Sequence, residues 1–365
     1  MSMPSVVDAE DVNVHDIVRY IDDVDGTGEL DRPLPESVSA ERAVELLRNM
    51  ITMRTYDERS LVYHRHGRIG TYAIYWGHEA MQVGGVCALD TDDWVLPSYR
   101  ESAVGLLRGM PASTVLAWWR GHPAGWWDPR EWKIGSVSVP VGSHIPHAVG
   151  CAWGERLQGR NTAAIAFFGD GATSEGDVHE GANFAAVLDL PVVLLCNNNQ
   201  WAITTPLSKQ TKTKALVDKA IGYGMRGVRV DGGDVLAVYD AVRDAVRRGK
   251  AGEGPTFIEA VSYRPTLHAT ADDPTRYRDD AKAARAREND PVARFERYLL
   301  RHGLISEEQI AAFRQEATDM MAAAITEAEA MPPGDVNDVF STVYAELPAA
   351  LARDAALVRE MEEGR

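Results

Sequence analysis

From residue 39 onward the apolar positions fall at helical spacing. Ala43, Val44, Leu46 and Leu47 follow Ser39, whose hydroxyl suits an N-cap. Residues 68–77 break that pattern with a glycine- and aromatic-rich loop, and a helix is expected over 79–89. The centre of the chain is more regular. Residues 163–168 are a short apolar run closed by Gly169, residues 178–189 return to helical spacing, and residues 191–196 are a second apolar run. That run ends in three asparagines. Residues 226–230 and 256–261 read as two more strands, and between them Val235, Val238, Val242 and Val246 share one side of a helix over 235–248. Strands alternating with helices at this spacing predict an α/β fold, an open and mainly parallel sheet with helices on both faces. Ligands of such sheets gather at the C-terminal ends of the strands.

The flanks look different. Residues 1–38 are acidic and weakly periodic, carry Pro33 and Pro35, and read as a loose N-terminal arm before an α/β domain over 39–280. Residues 281–365 read as a charged helical extension, with helices over 292–300 and 307–331. Pro332-Pro333 should break it, and a last helix is expected from Val336 toward the end. The loop over 265–281 is rich in Asp, Thr and Ala and is expected to be mobile. Trp118, Trp119, Trp126, Trp127 and Trp132 cluster in one short stretch. They fit either packing on a core or subunit interface or an aromatic wall facing a substrate.

Composition narrows the function classes. The chain has 365 residues, 45% hydrophobic and 25% charged, which suits a globular chain. Asp and Glu number 54 against 38 Lys and Arg, a net charge of −16. That sign argues against a nucleic-acid binder and makes any phosphate site a local one. Cys87, Cys151 and Cys196 are too few and scattered for a disulfide framework or a zinc site, and read as buried free thiols in a reducing compartment. No apolar run approaches the ~20 residues of a membrane span. The acidic first 25 residues lack the apolar stretch of a secretion signal, so the cytoplasm is the expected location.

The chemistry centres on two short motifs. Gly169-Asp170-Gly171 follows the first apolar run and Asn198-Asn199 follows the second, with the 26 residues 172–197 between them. A strand–turn–helix–strand unit brings both ends to one rim of the sheet. There the glycines let the backbone approach a phosphate and present N–H groups at a helix start. Asp170 offers a carboxylate oxygen and Asn199 an amide oxygen, which with two diphosphate oxygens suit octahedral Mg²⁺. A lone Gly-Asp-Gly is ordinarily a turn, and the pairing with Asn-Asn is what makes it a site. A dinucleotide site would need G-x-G-x-x-G after an early strand, and no such run or P-loop is present.

With their surroundings, Phe168-Gly-Asp-Gly-Ala-Thr-Ser-Glu-Gly-Asp-Val-His-Glu180 and Asn197-Asn-Asn-Gln-Trp-Ala-Ile-Thr204, these motifs resemble the α subunit of a thiamine-diphosphate-dependent 2-oxo acid dehydrogenase E1 component. The likeness runs over roughly residues 40–350. It implies Mg²⁺ held by the side chains of Asp170 and Asn199 and the carbonyl of Trp201. It implies a diphosphate cradle at Gly169, Gly171 and Ala172, with Tyr99 and Arg100 of the Tyr-Arg-Glu segment reaching the diphosphate. Arg264 and His268 match a cofactor-facing arginine and a histidine with a catalytic role in acyl transfer. Val141 matches an apolar residue beside the cofactor. Ser138, the Pro140 carbonyl, Ser143 and His144 fall at the places of a K⁺ site, although relatives carry glutamine where His144 stands. Asn197, Ser98 and Val139 also depart from the pattern. Ala269 replaces the serine that regulatory kinases modify in mammalian relatives, so that switch is expected to be absent.

The resemblance further implies what this chain lacks. The glutamate that activates the cofactor belongs to an E1 β subunit, so an α₂β₂ heterotetramer is expected, with the acyl group passed to the lipoyl arm of an E2 acyltransferase. Glu79, in Gly77-His-Glu-Ala80, reads instead as a structural hydrogen-bonding residue. The segment over 138–143 favours branched-chain acids, while pyruvate and acetoin enzymes share the same skeleton. A non-catalytic scaffold subunit is the reading from another class, and the joint presence of Asp170, Asn199, Arg100 and His268 speaks against it.

Overall fold

The computed structural model describes residues 15–21, 28, 31–278, 280–335 and 337–363. Its strands are β1 (Ile17–Val18), β2 (Trp94–Leu96), β3 (Ala164–Gly169), β4 (Val192–Asn198), β5 (Trp201–Ala202), β6 (Thr205–Pro206), β7 (Arg226–Asp231) and β8 (Thr256–Val261). Six of them form one sheet in the order β1-β7-β8-β4-β3-β2, every pairing parallel, and β5 and β6 form a separate antiparallel hairpin. Among the helices, α1 (Ala40–Arg65) and α2 (Glu79–Cys87) precede β2, and α3 (Ala112–Trp119), α4 (Pro129–Trp132) and α5 (His144–Leu157) precede β3. α6 (Gly176–Val187) links β3 to β4, α7 (Asp218–Tyr223) leads into β7, and α8 (Val235–Lys250) links β7 to β8.

The central strands are apolar throughout because both faces are covered. Along β3 and β4, Ile165, Phe167, Val193 and Leu195 point to one core, shared with α1, α2 and α8. Their neighbours Ala164, Ala166, Phe168, Val192, Leu194 and Cys196 point to a second core beneath α5 and α6. The expected α/β architecture is the observed one. α2 approaches closely because of glycine: a Cβ on Gly85 would fall 2.7 Å from the Phe167 ring. Val235, Val238, Val242 and Val246 are all buried on the inner side of α8. Ser39 caps α1 as expected, its hydroxyl accepting from the Arg42 N–H at 3.2 Å.

Several expectations need correction. Part of the N-terminal arm is not loose. Ile17 and Val18 add a sixth strand beside β7, and the backbone N–H groups of Tyr20 and Ile21 donate to Asp234 at 2.5 and 2.8 Å. A two-residue strand has no periodicity to read, so this pairing was invisible locally. Residues 1–14, 22–27, 29 and 30 of the arm lie outside the described residues. The charged extension forms α9 (Asp280–Glu288), α10 (Pro291–Arg301) and α11 (Glu307–Ala330), the last two packed on α1. The expected final helix is instead two, α12 (Asp338–Ser341) and α13 (Ala349–Glu363), and its expected start at Val336 lies outside the described residues. The five tryptophans stay out of the cavity described below. Trp119 stacks edge-on against Tyr72 at 4.9 Å and the Trp127 indole N–H donates to the Ile134 carbonyl at 2.9 Å, so Trp119, Trp127 and Trp132 pack against the core while Trp126 is half-exposed. Cys87, Cys151 and Cys196 are free thiols, and burial pushes each of them up from the ordinary thiol range. Among the described residues no helix is long and apolar enough to cross a membrane.

Candidate active site

The parallel register sets Gly169 of β3 directly beside Asn197 of β4, so both motif ends meet on one rim. β3 runs into a tight turn over Asp170–Ser174 and then into α6. The hairpin β5–β6 lies over this turn: a Cβ on Gly171 would come within 2.7 Å of the Ala202 Cβ, while the space above Gly169 is open. Glycine at 171 is therefore a steric requirement. A cavity of about 220 Å³ opens here. Tyr99, Arg100, Val141, Gly169, Asp170, Gly171, Ala172, Asn199, Trp201 and His268 all line it.

Asp170 is buried, and only one of its oxygens is satisfied. Oδ2 accepts from the Gln210 amide at 2.9 Å, while Oδ1 has no hydrogen-bond partner among the described residues. Burial pushes the carboxyl up to about 6. A buried carboxylate oxygen left unpaired is a demand for a cation. The three asparagines divide their labour. Asn198 donates to Glu259 at 2.7 Å inside the sheet, and Asn197 accepts from Ser262 at 2.7 Å and meets the His78 ring at 3.2 Å. Asn199 alone follows the strand end, its amide oxygen accepting from the Trp201 N–H at 3.2 Å. Among the described residues no three His, Cys, Asp or Glu side chains converge on a metal site, and the oxygen donors at the two strand ends are the Asp170 carboxylate, the Asn199 amide and the Trp201 carbonyl. That is a hard-oxygen set that leaves positions for a ligand's own oxygens, as Mg²⁺ sites do.

Arg100 is buried beside this set, although nothing in its local sequence separates it from a surface arginine. Its guanidinium donates to the Ile74 carbonyl and, at 3.0 Å, to the His268 carbonyl. The loop over 68–77 is therefore a support for Arg100. Asp57 anchors that loop, accepting from Tyr72 Oη and the N–H groups of Tyr75 and Trp76 at 2.9–3.1 Å. Glu79 behaves as expected, paired with Arg54 at 2.6 Å and capping the Gly77 N–H at 2.9 Å, away from the cavity. Sequence reasoning missed Glu101, a cavity-lining carboxyl whose Oε2 is buried without a partner among the described residues. Its position next to Arg100 was the available signal.

His268 faces two guanidinium groups through one ring nitrogen. Nδ1 lies 3.1 Å from Arg100 Nη2 and 3.3 Å from Arg264 Nη1. Guanidinium groups only donate, so Nδ1 accepts and Nε2 carries the proton. Burial and these two cations push the imidazole down to about 4. The unfolded chain takes up this proton near 6.5, so folding loses stability as pH falls from about 6.5 to about 4, and the group adds no pH dependence above that window. Nitrogen NMR of the ring is expected to show the neutral Nε2–H tautomer unchanged from pH 8 to 5; titration near 6.5 would contradict this geometry.

Two expected groups sit differently. Arg264 does not line the cavity. It is fully buried behind His268, donating to the Ile203 carbonyl at 2.7 Å, the Tyr277 hydroxyl at 2.9 Å and the Trp201 carbonyl at 3.3 Å. Hairpin carbonyls claim its donors, so it braces the rim. The expected K⁺ places are only partly assembled. Ser138 Oγ, Ser143 Oγ and the Pro140 carbonyl lie 2.8–3.0 Å from one another, but His144 turns Nε2 to the Phe167 carbonyl at 2.6 Å. The loop expected to be mobile is tied down: Arg278 donates to the carbonyls of Arg264, Pro265 and Thr266 at 2.7–3.1 Å, and Asp272 accepts from the His268 N–H at 2.8 Å.

Comparison of the sequence with known proteins finds matches over most of the chain. Residues 47–337 match the dehydrogenase E1 component family. The 3-methyl-2-oxobutanoate dehydrogenase subunit alpha of Mycobacterium tuberculosis (strain ATCC 25618 / H37Rv) is 43% identical over 330 residues, covering 90% of this chain and 89% of the relative. Pyruvate dehydrogenase E1 component subunits alpha of Staphylococcus epidermidis (strain ATCC 12228 / FDA PCI 1200) and Staphylococcus aureus (strain MW2) are each 38% identical with the same coverage.

Proposed function

The chain belongs to the dehydrogenase E1 component family, and from that premise we propose that it is the α subunit of a 2-oxo acid dehydrogenase acting on branched-chain acids of the 3-methyl-2-oxobutanoate type. The observation that carries the reading is the unpaired, buried Oδ1 of Asp170 on the rim shared with Asn199, with Arg100 and His268 lining the same cavity. This donor set fits Mg²⁺ and a diphosphate. Thiamine diphosphate, when bound, supplies the nucleophilic carbon and electron sink for decarboxylation.

The chain's own residues hold and orient. Asp170, Asn199 and the Trp201 carbonyl would hold Mg²⁺. Gly169, Gly171 and Ala172 would admit the diphosphate to the backbone, and Tyr99 and Arg100 would pair with its oxygens. His268, neutral and with its proton on Nε2, would donate a hydrogen bond to an anionic oxygen and hold a proton for acyl transfer to a lipoyl group. Val141 would give the ring end an apolar wall. Arg264 supports the site from behind. The Ser138, Pro140 and Ser143 oxygens are the candidate K⁺ ligands, without His144 Nε2. Residues 39–280 form the unit that carries this chemistry, flanked by the arm over 1–38 and the extension over 281–365.

A β subunit completes the site with its activating glutamate in an α₂β₂ assembly, an E2 acyltransferase receives the acyl group, and the assembly works in the cytoplasm. The relative named for 3-methyl-2-oxobutanoate is 43% identical, and those named for pyruvate are 38% identical. Pyruvate is therefore the second reading. Dye-coupled turnover of 3-methyl-2-oxobutanoate, pyruvate and acetoin by the chain co-expressed with its β subunit separates them. The branched acid is expected to give the highest kcat/KM; clear selectivity for pyruvate or acetoin would overturn the preference.

A further inference from the structure

Arg100 is gripped by two loops. Its guanidinium donates to the Ile74 carbonyl of the loop over 68–77 and, at 3.0 Å, to the His268 carbonyl of the loop over 263–273. The two loops also meet each other directly. The Thr270 N–H donates to the Tyr72 carbonyl, and the Tyr72 N–H donates to Thr270 Oγ1, both at 3.0 Å. Tyr72 and Thr270 form one rung between the loops, and Arg100 forms the next. The paired positions step from 72 to 74 on one loop and from 270 to 268 on the other. The first rung therefore sets the gap between the two carbonyls that hold the guanidinium.

That rung is fixed from α1. Tyr72 is fully buried, and its Oη donates to Asp57 Oδ1 at 2.9 Å. Asp57 is buried too, and also accepts the N–H groups of Tyr75 and Trp76, both at 3.1 Å. A buried carboxylate is costly unless donors converge on it, and all three donors here come from the loop that carries Ile74. None of Asp57, Tyr72 and Thr270 lines the cavity. We propose that Asp57 and Thr270 are positioning residues: through Tyr72 they fix the gap between the Ile74 and His268 carbonyls, and with it the placement of Arg100 and His268 on the cavity. This rests on the proposed roles of Arg100 and His268 at the diphosphate and in acyl transfer.

The test uses the chain assembled with its β subunit, as wild type, Thr270→Val, Thr270→Ser and Asp57→Asn. It reads melting temperature, calorimetric binding of thiamine diphosphate with Mg²⁺, and the ring nitrogens of His268 by NMR. Valine keeps the shape of threonine and the bond from the residue 270 N–H, but removes the acceptor of the Tyr72 N–H; serine keeps that acceptor. Thr270→Val is expected to leave the melting temperature within about 3 °C of wild type. It should weaken cofactor binding on the order of ten-fold. It should also raise the His268 titration from about 4 toward the ordinary 6.5, as Arg100 draws away from Nδ1. Thr270→Ser is expected to restore both affinity and titration. Asp57→Asn turns an NH₂ group toward the loop's donors and is expected to show the same two changes with a lower melting temperature. Unchanged affinity and titration in Thr270→Val would overturn the positioning role and leave the rung purely structural. Equal losses with valine and serine would overturn the role of the hydroxyl. If Asp57→Asn does not assemble, the two Thr270 variants still decide. A wild-type complex that binds no cofactor would overturn the assignment of the cavity, while the His268 titration, read without cofactor, still decides the positioning role.

Discussion

Asp170→Asn is expected to leave a folded chain that no longer turns over 2-oxo acids. The substitution keeps the size of the side chain, and the amide oxygen can still accept from Gln210, the one hydrogen bond that Oδ2 makes across 2.9 Å. The fold should change little, within about 1 kcal/mol of the original stability. The site changes completely. Asp170 is the one carboxylate in the proposed donor set, and its unpaired Oδ1 is the oxygen left for a cation. An amide oxygen is a poorer ligand for a hard divalent ion, and its NH₂ group cannot bind one at all. Turnover is expected to fall on the order of a thousand-fold. Calorimetry should show loss of Mg²⁺-dependent cofactor binding, with an unchanged melting curve. Retention of both binding and turnover would remove Asp170 from the metal site.

His268→Ala is expected to lower turnover by roughly 10² to 10⁴-fold, the range for a positioned proton donor or acceptor. Alanine also leaves Arg100 Nη2 and Arg264 Nη1 without the ring nitrogen that each approaches at 3.1 and 3.3 Å. Two cations then face each other without a shared acceptor, and some loss of order in the rim follows. His268→Gln separates the two contributions. Its amide N–H can replace the Nε2–H as a hydrogen-bond donor, but it cannot transfer a proton. Cofactor affinity should therefore recover with Gln while acyl transfer to a lipoyl acceptor stays low. Equal recovery of both would reduce His268 to a hydrogen-bond donor.

The parts of this site that were legible in the sequence are those fixed by short-range chemistry. Apolar runs of strand length ending in Gly169 and Asn197 predicted adjacent strand ends, and the register of β3 with β4 places them side by side. Asp170 and Asn199 followed because few other arrangements use a carboxylate and an amide at those ends. What stayed hidden depends on long-range contact. Arg264 looked like a ligand-facing arginine until the hairpin carbonyls of Trp201 and Ile203 took its donors. His144 was read into a cation site, yet its ring reaches the Phe167 carbonyl on a strand 23 positions along the chain. α5 carries no readable helical period because Pro146, Gly150 and Gly154 interrupt it.

The most direct test of the shared site is oxidative decarboxylation of 3-methyl-2-oxobutanoate with thiamine diphosphate and Mg²⁺, by this chain alone and by the chain assembled with its β subunit. Turnover in the assembly, lost on removal of Mg²⁺ and absent from the isolated chain, is the predicted result. Full-rate turnover by the isolated chain would contradict the shared site, and an assembly that turns over no 2-oxo acid would contradict the function itself.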